Sequence, residues 1–162
     1  MTRDANLKVR VKSAKGRKLS STRWLERQLN DPYVREANRL GYRSRAAFKI
    51  LEIDGKFKIF KPGQCILDLG AAPGGWSQVV ANIVNGQSKS GQVLAIDILP
   101  IDALSGVKAM KLDIYEENAI NLIKEEMIKP SADVILSDMA PSTTGHKATD
   151  HLRIVTLLES AL

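Results

Sequence analysis

Four short aliphatic runs, each followed by a turn and a helix-like stretch, constrain this chain more than any other feature. They are Cys65-Ile66-Leu67-Asp68-Leu69, Val93-Leu94-Ala95-Ile96-Asp97, Val107 to Leu112, and Val134-Ile135-Leu136-Ser137-Asp138. Near-continuous aliphatic strands alternating with helices belong to a parallel sheet covered on both faces, since a strand open to water on one side alternates apolar with polar residues. The implied fold class is α/β, doubly wound. After the fourth run one more helical stretch follows, from about Asp150 to Leu162, and the sequence stops inside its apolar pattern. A sheet ending there would leave the Val134 strand at an unprotected edge. The expectation is therefore a domain cut after its fourth strand.

With 162 residues and 44% hydrophobic composition, the chain can fill one sizeable core and is not disordered throughout. A single cysteine, Cys65, excludes an internal disulfide, and two histidines beside it supply too few ligands for a zinc cage. No apolar run approaches the roughly 20 residues of a membrane helix, and the N-terminus lacks the apolar stretch of a signal peptide. The expected address is the cytoplasm, with no membrane partner.

Charge is unevenly distributed. Residues 1–49 hold 14 Lys and Arg against four acids, whereas residues 50–162 hold 10 against 14. A basic end on a mildly acidic body suits a protein that holds a polyanion with that end. A solvated basic tail is the plainer reading of such a run. An organellar transit peptide, which would place the protein in an organelle matrix, also fits the basic, serine-containing first 23 residues, although they show no clear amphipathic face.

Residues 1–19 lack hydrophobic periodicity and read as a flexible basic arm. Residues 20–60 read as a basic helical segment. Ser20, Ser21 and Thr22 offer caps for a helix through Trp24, Leu25 and Leu29, stopped by Asn30-Asp31-Pro32. A second helix runs from about Pro32 to Leu40 and ends at Gly41. Ser44 caps a third, from Arg45 to about Ile53, whose apolar stripe is Ala46, Ala47, Ile50, Leu51 and Ile53, with Lys49 at its edge. Residues 61–162 then form the α/β unit.

Three of the four strands carry an acid at or beside the carboxyl end: Asp68, Asp97 and Asp138. Ligands of open α/β sheets bind outside those ends, so the three carboxylates face one crevice. The first strand leads into Gly70-Ala71-Ala72-Pro73-Gly74-Gly75-Trp76 and a helix from Ser77 to about Val84. Glycines there let backbone approach a ligand closely. The spacing is neither the dinucleotide fingerprint nor a Walker A loop, and Pro73 removes an N–H from any phosphate nest. The loop suits a nucleoside without a phosphate clamp. Asp97 can accept from both ribose hydroxyls of such a ligand. Asp113 could accept from an adenine amino group, although Asp113-Ile114-Tyr115-Glu116 is also spaced as a capping box.

The run Asp68-Leu69-Gly70-Ala71-Ala72-Pro73-Gly74-Gly75-Trp76-Ser77-Gln78 resembles the FtsJ-type methyltransferases. So do Ser137-Asp138-Met139-Ala140-Pro141, Ser20-Ser21-Thr22-Arg23-Trp24-Leu25 and Arg43-Ser44-Arg45-Ala46-Ala47-Phe48-Lys49. Within that group the chain is most similar to the bacterial RlmE family, which methylates a uridine 2′-hydroxyl in 23S ribosomal RNA. The similarity runs from about Leu19 to Leu162. It implies a Rossmann-like fold, S-adenosylmethionine as cofactor, large-subunit ribosomal RNA within the 50S subunit as partner, no metal, and a monomer supporting late maturation of the subunit. By position, Gly74 and Trp76 fall on the family's cofactor loop, Asp97 on its ribose-binding acid and Asp113 on its adenine-contacting acid. Asp138 lies beside the cofactor.

Lys49 and Asp138 match the first two members of the family's catalytic Lys-Asp-Lys-Glu set. The remaining Lys and Glu belong to later strands, so a chain ending at Leu162 is expected to bind S-adenosylmethionine at most weakly and not to turn over. Read alone, Lys49 is a snorkelling lysine on a basic helix. In the catalytic reading its amine, held among other cations, orients the ribose hydroxyl or takes its proton, and Asp138 holds the amine in place. A cofactor-free RNA-binding module would explain the basic arm without needing the glycine loop or Asp97. A nicotinamide oxidoreductase would use Asp97 with the wrong loop, and a methyltransferase acting on tRNA or an mRNA cap ribose would share the same site.

Overall fold

The computed structural model describes residues 18–86 and 91–139, together with positions 11 and 16. The arm, apart from residues 11, 16, 18 and 19, lies outside the described residues, as do Ala140, Pro141 and the stretch from Asp150 to Leu162. Three helices come first: α1 (Leu19–Asn30), α2 (Pro32–Arg39) and α3 (Ala47–Phe57). Then follow β1 (Cys65–Leu69), α4 (Gly75–Val84), β2 (Gln92–Asp97), β3 (Val107–Lys111), α5 (Ala119–Glu126) and β4 (Val134–Ser137).

The four strands form one parallel sheet in the order β3-β2-β1-β4, with Ile66 opposite both Val93 and Val134. The pleat sorts their side chains. Ile66 and Val93 pack with Ala47, Ile50, Val79, Val80 and Val84 from α3 and α4. Leu67, Leu69, Leu94 and Ile96 pack on the opposite side with Ala119, Leu122 and Ile123 of α5. Helices therefore cover both faces, as the aliphatic runs predict. The chain leaves β1 for β2 on one side and returns to place β4 on the other, so the switch point lies between β1 and β4, where ligands of such sheets bind.

Sequence and structure part at several places. The strand at Val107 is half-exposed rather than buried on both faces, since β3 is an edge and Lys108 and Lys111 keep water on it. β4 is the other edge among the described residues, as expected of a sheet ending at its fourth strand, with Ile135 46% exposed. Helix α1 begins at Leu19, ahead of the predicted caps, and α4 begins at Gly75 rather than Ser77. Helix α3 starts at Ala47 without a side-chain cap and runs four residues past Ile53, which is 38% exposed. Its end is set by Asp54 instead. The Asp54 carbonyl accepts from Lys58 N at 2.8 Å and its Oδ1 accepts from Phe60 N at 2.9 Å. Asp31 caps α2 by accepting from Tyr33 N, and Gly41 follows with φ +75°.

Candidate functional site

Residues 70–75 leave β1 and turn into α4 at the switch point. Gly70 N and Ala71 N both donate to the Ile96 carbonyl, which pins the loop to the end of β2. Gly70 has φ +73°, and a Cβ there would collide with the Met139 side chain, so Met139, just past β4, can pack over the end of β1 only above a glycine. Gly74, with φ +98°, is the residue before the first turn of α4, and a Cβ on Gly75 would strike Ser44 Oγ. The loop is thus wedged between the α2–α3 connection and Met139.

Asp97 closes this loop from the side. Its Oδ2 accepts from Ala72 N and its Oδ1 from Leu99 N, both at 2.8 Å. Each oxygen keeps a second lone pair for a ligand hydroxyl. Leu112 N donates to the Asp97 carbonyl at 3.0 Å, which brings the turn after β3 alongside. In that turn Asp113 Oδ1 accepts from Tyr115 N at 3.0 Å. This is an Asx turn and not the capping box, because the next helix begins only at Ala119.

The small cavity outside β1 is lined by Asp68, Gly70, Gly75, Trp76, Ser44 and Asp138, among others. Trp76 sends its indole N–H to the Ala46 carbonyl at 2.9 Å and so ties the loop to the start of α3. Asp68 is 1% exposed, and its Oδ2 accepts from Ser77 Oγ at 2.5 Å. Burial pushes its carboxyl up to about 6; the hydrogen bonds from Ser77 pull against this, and the Asp97 and Asp138 carboxylates add to the rise.

A native carboxyl that holds its proton more tightly than the unfolded one gives stability that is fullest below about 3.8 and is lost as pH rises through about 6. Asp68→Asn keeps an acceptor for Ser77 without the buried charge. In urea denaturation the variant should match the parent near pH 4 and exceed it by about 2 to 3 kcal/mol at pH 7. A pH-independent difference would contradict this.

A second, open cleft of about 380 Å³ lies next to the first and is lined by Tyr33, Arg45, Phe48, Lys49, Glu52 and Asp138. Lys49 Nζ meets Asp138 Oδ2 at 3.2 Å across 89 residues of sequence, with the two side chains 62% and 52% exposed. A pair so open to water contributes on the order of 0 to 1 kcal/mol to stability. Asp138 and Ala46 line both spaces and form the wall between them.

Of the residues singled out from sequence, Asp68, Trp76 and Asp138 line the small cavity, Lys49 and Asp138 line the cleft, and Asp97 joins the cavity through Ala72. Gly74 stands one residue outside the lining, and Asp113 lies on the turn beside Asp97.

Sequence reasoning assigned no role to Arg43, although it organises the loop. Its guanidinium donates to the carbonyls of Pro73 (3.2 Å), Asp102 (2.7 Å) and Ala103 (2.6 Å), and its own N–H donates to Gln78 Oε1 at 3.0 Å. It therefore staples the glycine loop to the β2–β3 connection. Lysine offers a point charge that cannot bridge three carbonyls. Arg43→Lys should lose about 1 to 2 kcal/mol in denaturation and speed amide exchange at residues 72–75 and 102–104. Unchanged exchange there would refute the staple.

Among the described residues no helix is long and apolar enough to cross a membrane, and no group of three or more His, Cys, Asp or Glu could hold a metal ion.

Comparison with known proteins bears on this geometry. The family model of FtsJ-like methyltransferases matches residues 42–162. A ribosomal RNA large subunit methyltransferase E of Paramagnetospirillum magneticum is 56% identical over 159 residues, 97% of this chain and 65% of its own length. The protein of the same name from Ruegeria pomeroyi is 52% identical over 161 residues, covering 96% and 69%. The chain thus spans about two thirds of the length of these relatives. A solved structure from Plasmodium falciparum described as a ribosomal RNA methyltransferase superposes with a TM-score of 0.65 at 33% identity, covering 74% of this chain and 68% of that one.

Proposed function

The chain belongs to the FtsJ-like methyltransferase family, and on that premise we propose that it carries the S-adenosylmethionine site and half of the catalytic set of a 23S ribosomal RNA uridine 2′-O-methyltransferase. The observation that carries the reading is the double position of Asp138, the shared wall of a glycine-lined cavity and a cleft holding Lys49. A group-transfer enzyme needs its donor and acceptor in adjoining spaces with a thin partition. Relatives named for large-subunit ribosomal RNA methylation support the substrate, and the basic first 49 residues supply cations for its phosphates. In this reading the protein works as a monomer on RNA within the 50S subunit, in the bacterial cytoplasm.

The residues present fit the cofactor. It carries a carboxylate, an ammonium, a sulfonium and two ribose hydroxyls, and it supplies an electrophilic methyl group. The opening N–H groups of α4 at Gly75 and Trp76 suit the carboxylate. The Asp68 and Asp138 carboxylates suit the positive charges, and the spare lone pairs of Asp97 suit the hydroxyls.

Lys49, held by Asp138, donates to the incoming 2′-oxygen and aims one of its lone pairs at the methyl carbon. The methyl group would leave the sulfur, which keeps the bonding pair, as the new oxygen–carbon bond formed, and the hydroxyl proton, made strongly acidic, would pass to water in the open cleft. Asp138 faces the positive charge consumed in the transfer and holds the lysine in line.

The reading is tested by tritiated methyl transfer from S-adenosylmethionine to 50S subunits that lack the modification, using the chain extended through the remaining Lys and Glu of the catalytic set. Label should resist alkali within a dinucleotide, because a methylated 2′-oxygen cannot attack its phosphate. Label on a base, or only in protein, would contradict it.

A further inference from the structure

The cleft beside Lys49 has more built into it than methyl transfer to a hydroxyl requires. Tyr33, at the start of α2, is 59% exposed, yet its ring is held in place. It leans on Phe48 with centroids 5.7 Å apart and planes at 55°, and Phe48 in turn meets Tyr42 edge-on at 5.8 Å. The backbone beneath is fixed as well. Asp31 accepts from Tyr33 N at 2.8 Å through Oδ1 and from Arg45 Nη1 at 2.6 Å through Oδ2, so one carboxylate sets both an aromatic ring and a guanidinium at the cleft. The cleft's volume of about 380 Å³ falls in the range of sites that hold small ligands.

We propose that this cleft is a nucleobase subsite in which Tyr33 stacks on the base of the nucleotide presented to Lys49, with Arg45 as the cation beside it. Every base offers a π face to an aromatic ring, and a pre-ordered ring loses little freedom on stacking. A phosphate alone would need only the cations, and an apolar peptide would not call for Arg45 and Lys49 at the rim. The subsite deepens the RNA-methylating reading and rests on it for the identity of the acceptor.

The test compares two end-labelled probes by fluorescence anisotropy on the 162-residue chain: hexauridylate and an abasic ribose-phosphate hexamer of the same charge. The parent should bind hexauridylate about 10- to 100-fold more tightly than the abasic probe. Tyr33→Phe should keep that preference. Tyr33→Ala, and Tyr33→Leu, which retains packing on Phe48 without a π face, should abolish it while leaving abasic affinity and S-adenosylmethionine affinity unchanged. A preference that survives Tyr33→Leu, or a parent that does not distinguish the probes, overturns the subsite. If base preference depends on Tyr33 but the parent fails to bind S-adenosylmethionine, the subsite stands and the methyltransferase reading falls.

Discussion

In the enzyme carrying the complete Lys-Asp-Lys-Glu set, replacing Lys49 by methionine is expected to lower single-turnover methyl transfer by about 100-fold or more, the order lost when an attacking atom is no longer held in line. S-Adenosylmethionine affinity should stay at the parent value, because Lys49 lines the cleft and not the small cavity outside β1. The fold should also hold, since the Lys49–Asp138 pair is exposed at both ends. Lys49→Arg should not restore the rate, because a planar guanidinium cannot reproduce one donor placed 3.2 Å from Asp138 Oδ2. Asp138→Asn should slow transfer as well, and combining it with Lys49→Met should add little, because residues that act as a unit are not additive. A Lys49→Met protein with near-parental turnover would remove the lysine from the mechanism.

Asp97→Ala is the second large effect, expected to weaken S-adenosylmethionine binding by about 30- to 150-fold, the equivalent of roughly 2 to 3 kcal/mol in charge-assisted hydrogen bonds. Two causes contribute. In the proposed reading the carboxylate accepts from the ribose hydroxyls, and it also holds Ala72 N and Leu99 N at 2.8 Å, so removing it loosens the glycine loop. A cofactor analogue lacking both ribose hydroxyls separates them. The parent should bind that analogue much more weakly than the cofactor, and Asp97→Ala should bind the two alike. If the variant still discriminates between them by calorimetry, Asp97 acts on the loop and not on the ligand.

Sequence carried the sheet further than it carried the site. The four aliphatic runs locate β1 to β4 to within one or two residues because each is bounded by turn-forming residues and none has helical periodicity. The β3 edge was less legible. Each face of β3 packs one apolar residue on the core, Val107 or Met110, and carries one lysine, Lys111 or Lys108, a half-exposed pattern that reads as aliphatic only when the lysines are passed over. The end of α3 escaped because the apolar stripe stops at Ile53, whereas the helix is closed by Asp54, whose carbonyl and carboxylate both take backbone N–H groups beyond it.

Within the site, Asp68 carried a signal that could have been read. An acid inside a buried strand needs a partner, and Ser77 stands nine residues on, in the first turn of α4. Asp138 was legible from its place at the end of a strand, but Lys49 and its pairing with Asp138 only through family resemblance, since no local pattern shows that residues 89 apart will meet. Arg43 is harder still. Its partners are backbone carbonyls at residues 73, 102 and 103, and a carbonyl leaves no trace in the sequence.

The account stands on a donor cavity and an acceptor cleft that share Asp138 as their wall. A crystal structure of the chain bound to S-adenosylhomocysteine tests this most directly. It should show the ribose hydroxyls on Asp97, the amino-acid carboxylate at the start of α4, and the sulfur beside Asp138 and directed toward Lys49. A nucleoside bound away from the 70–75 loop, or a sulfur turned from the Lys49 cleft, would contradict the account.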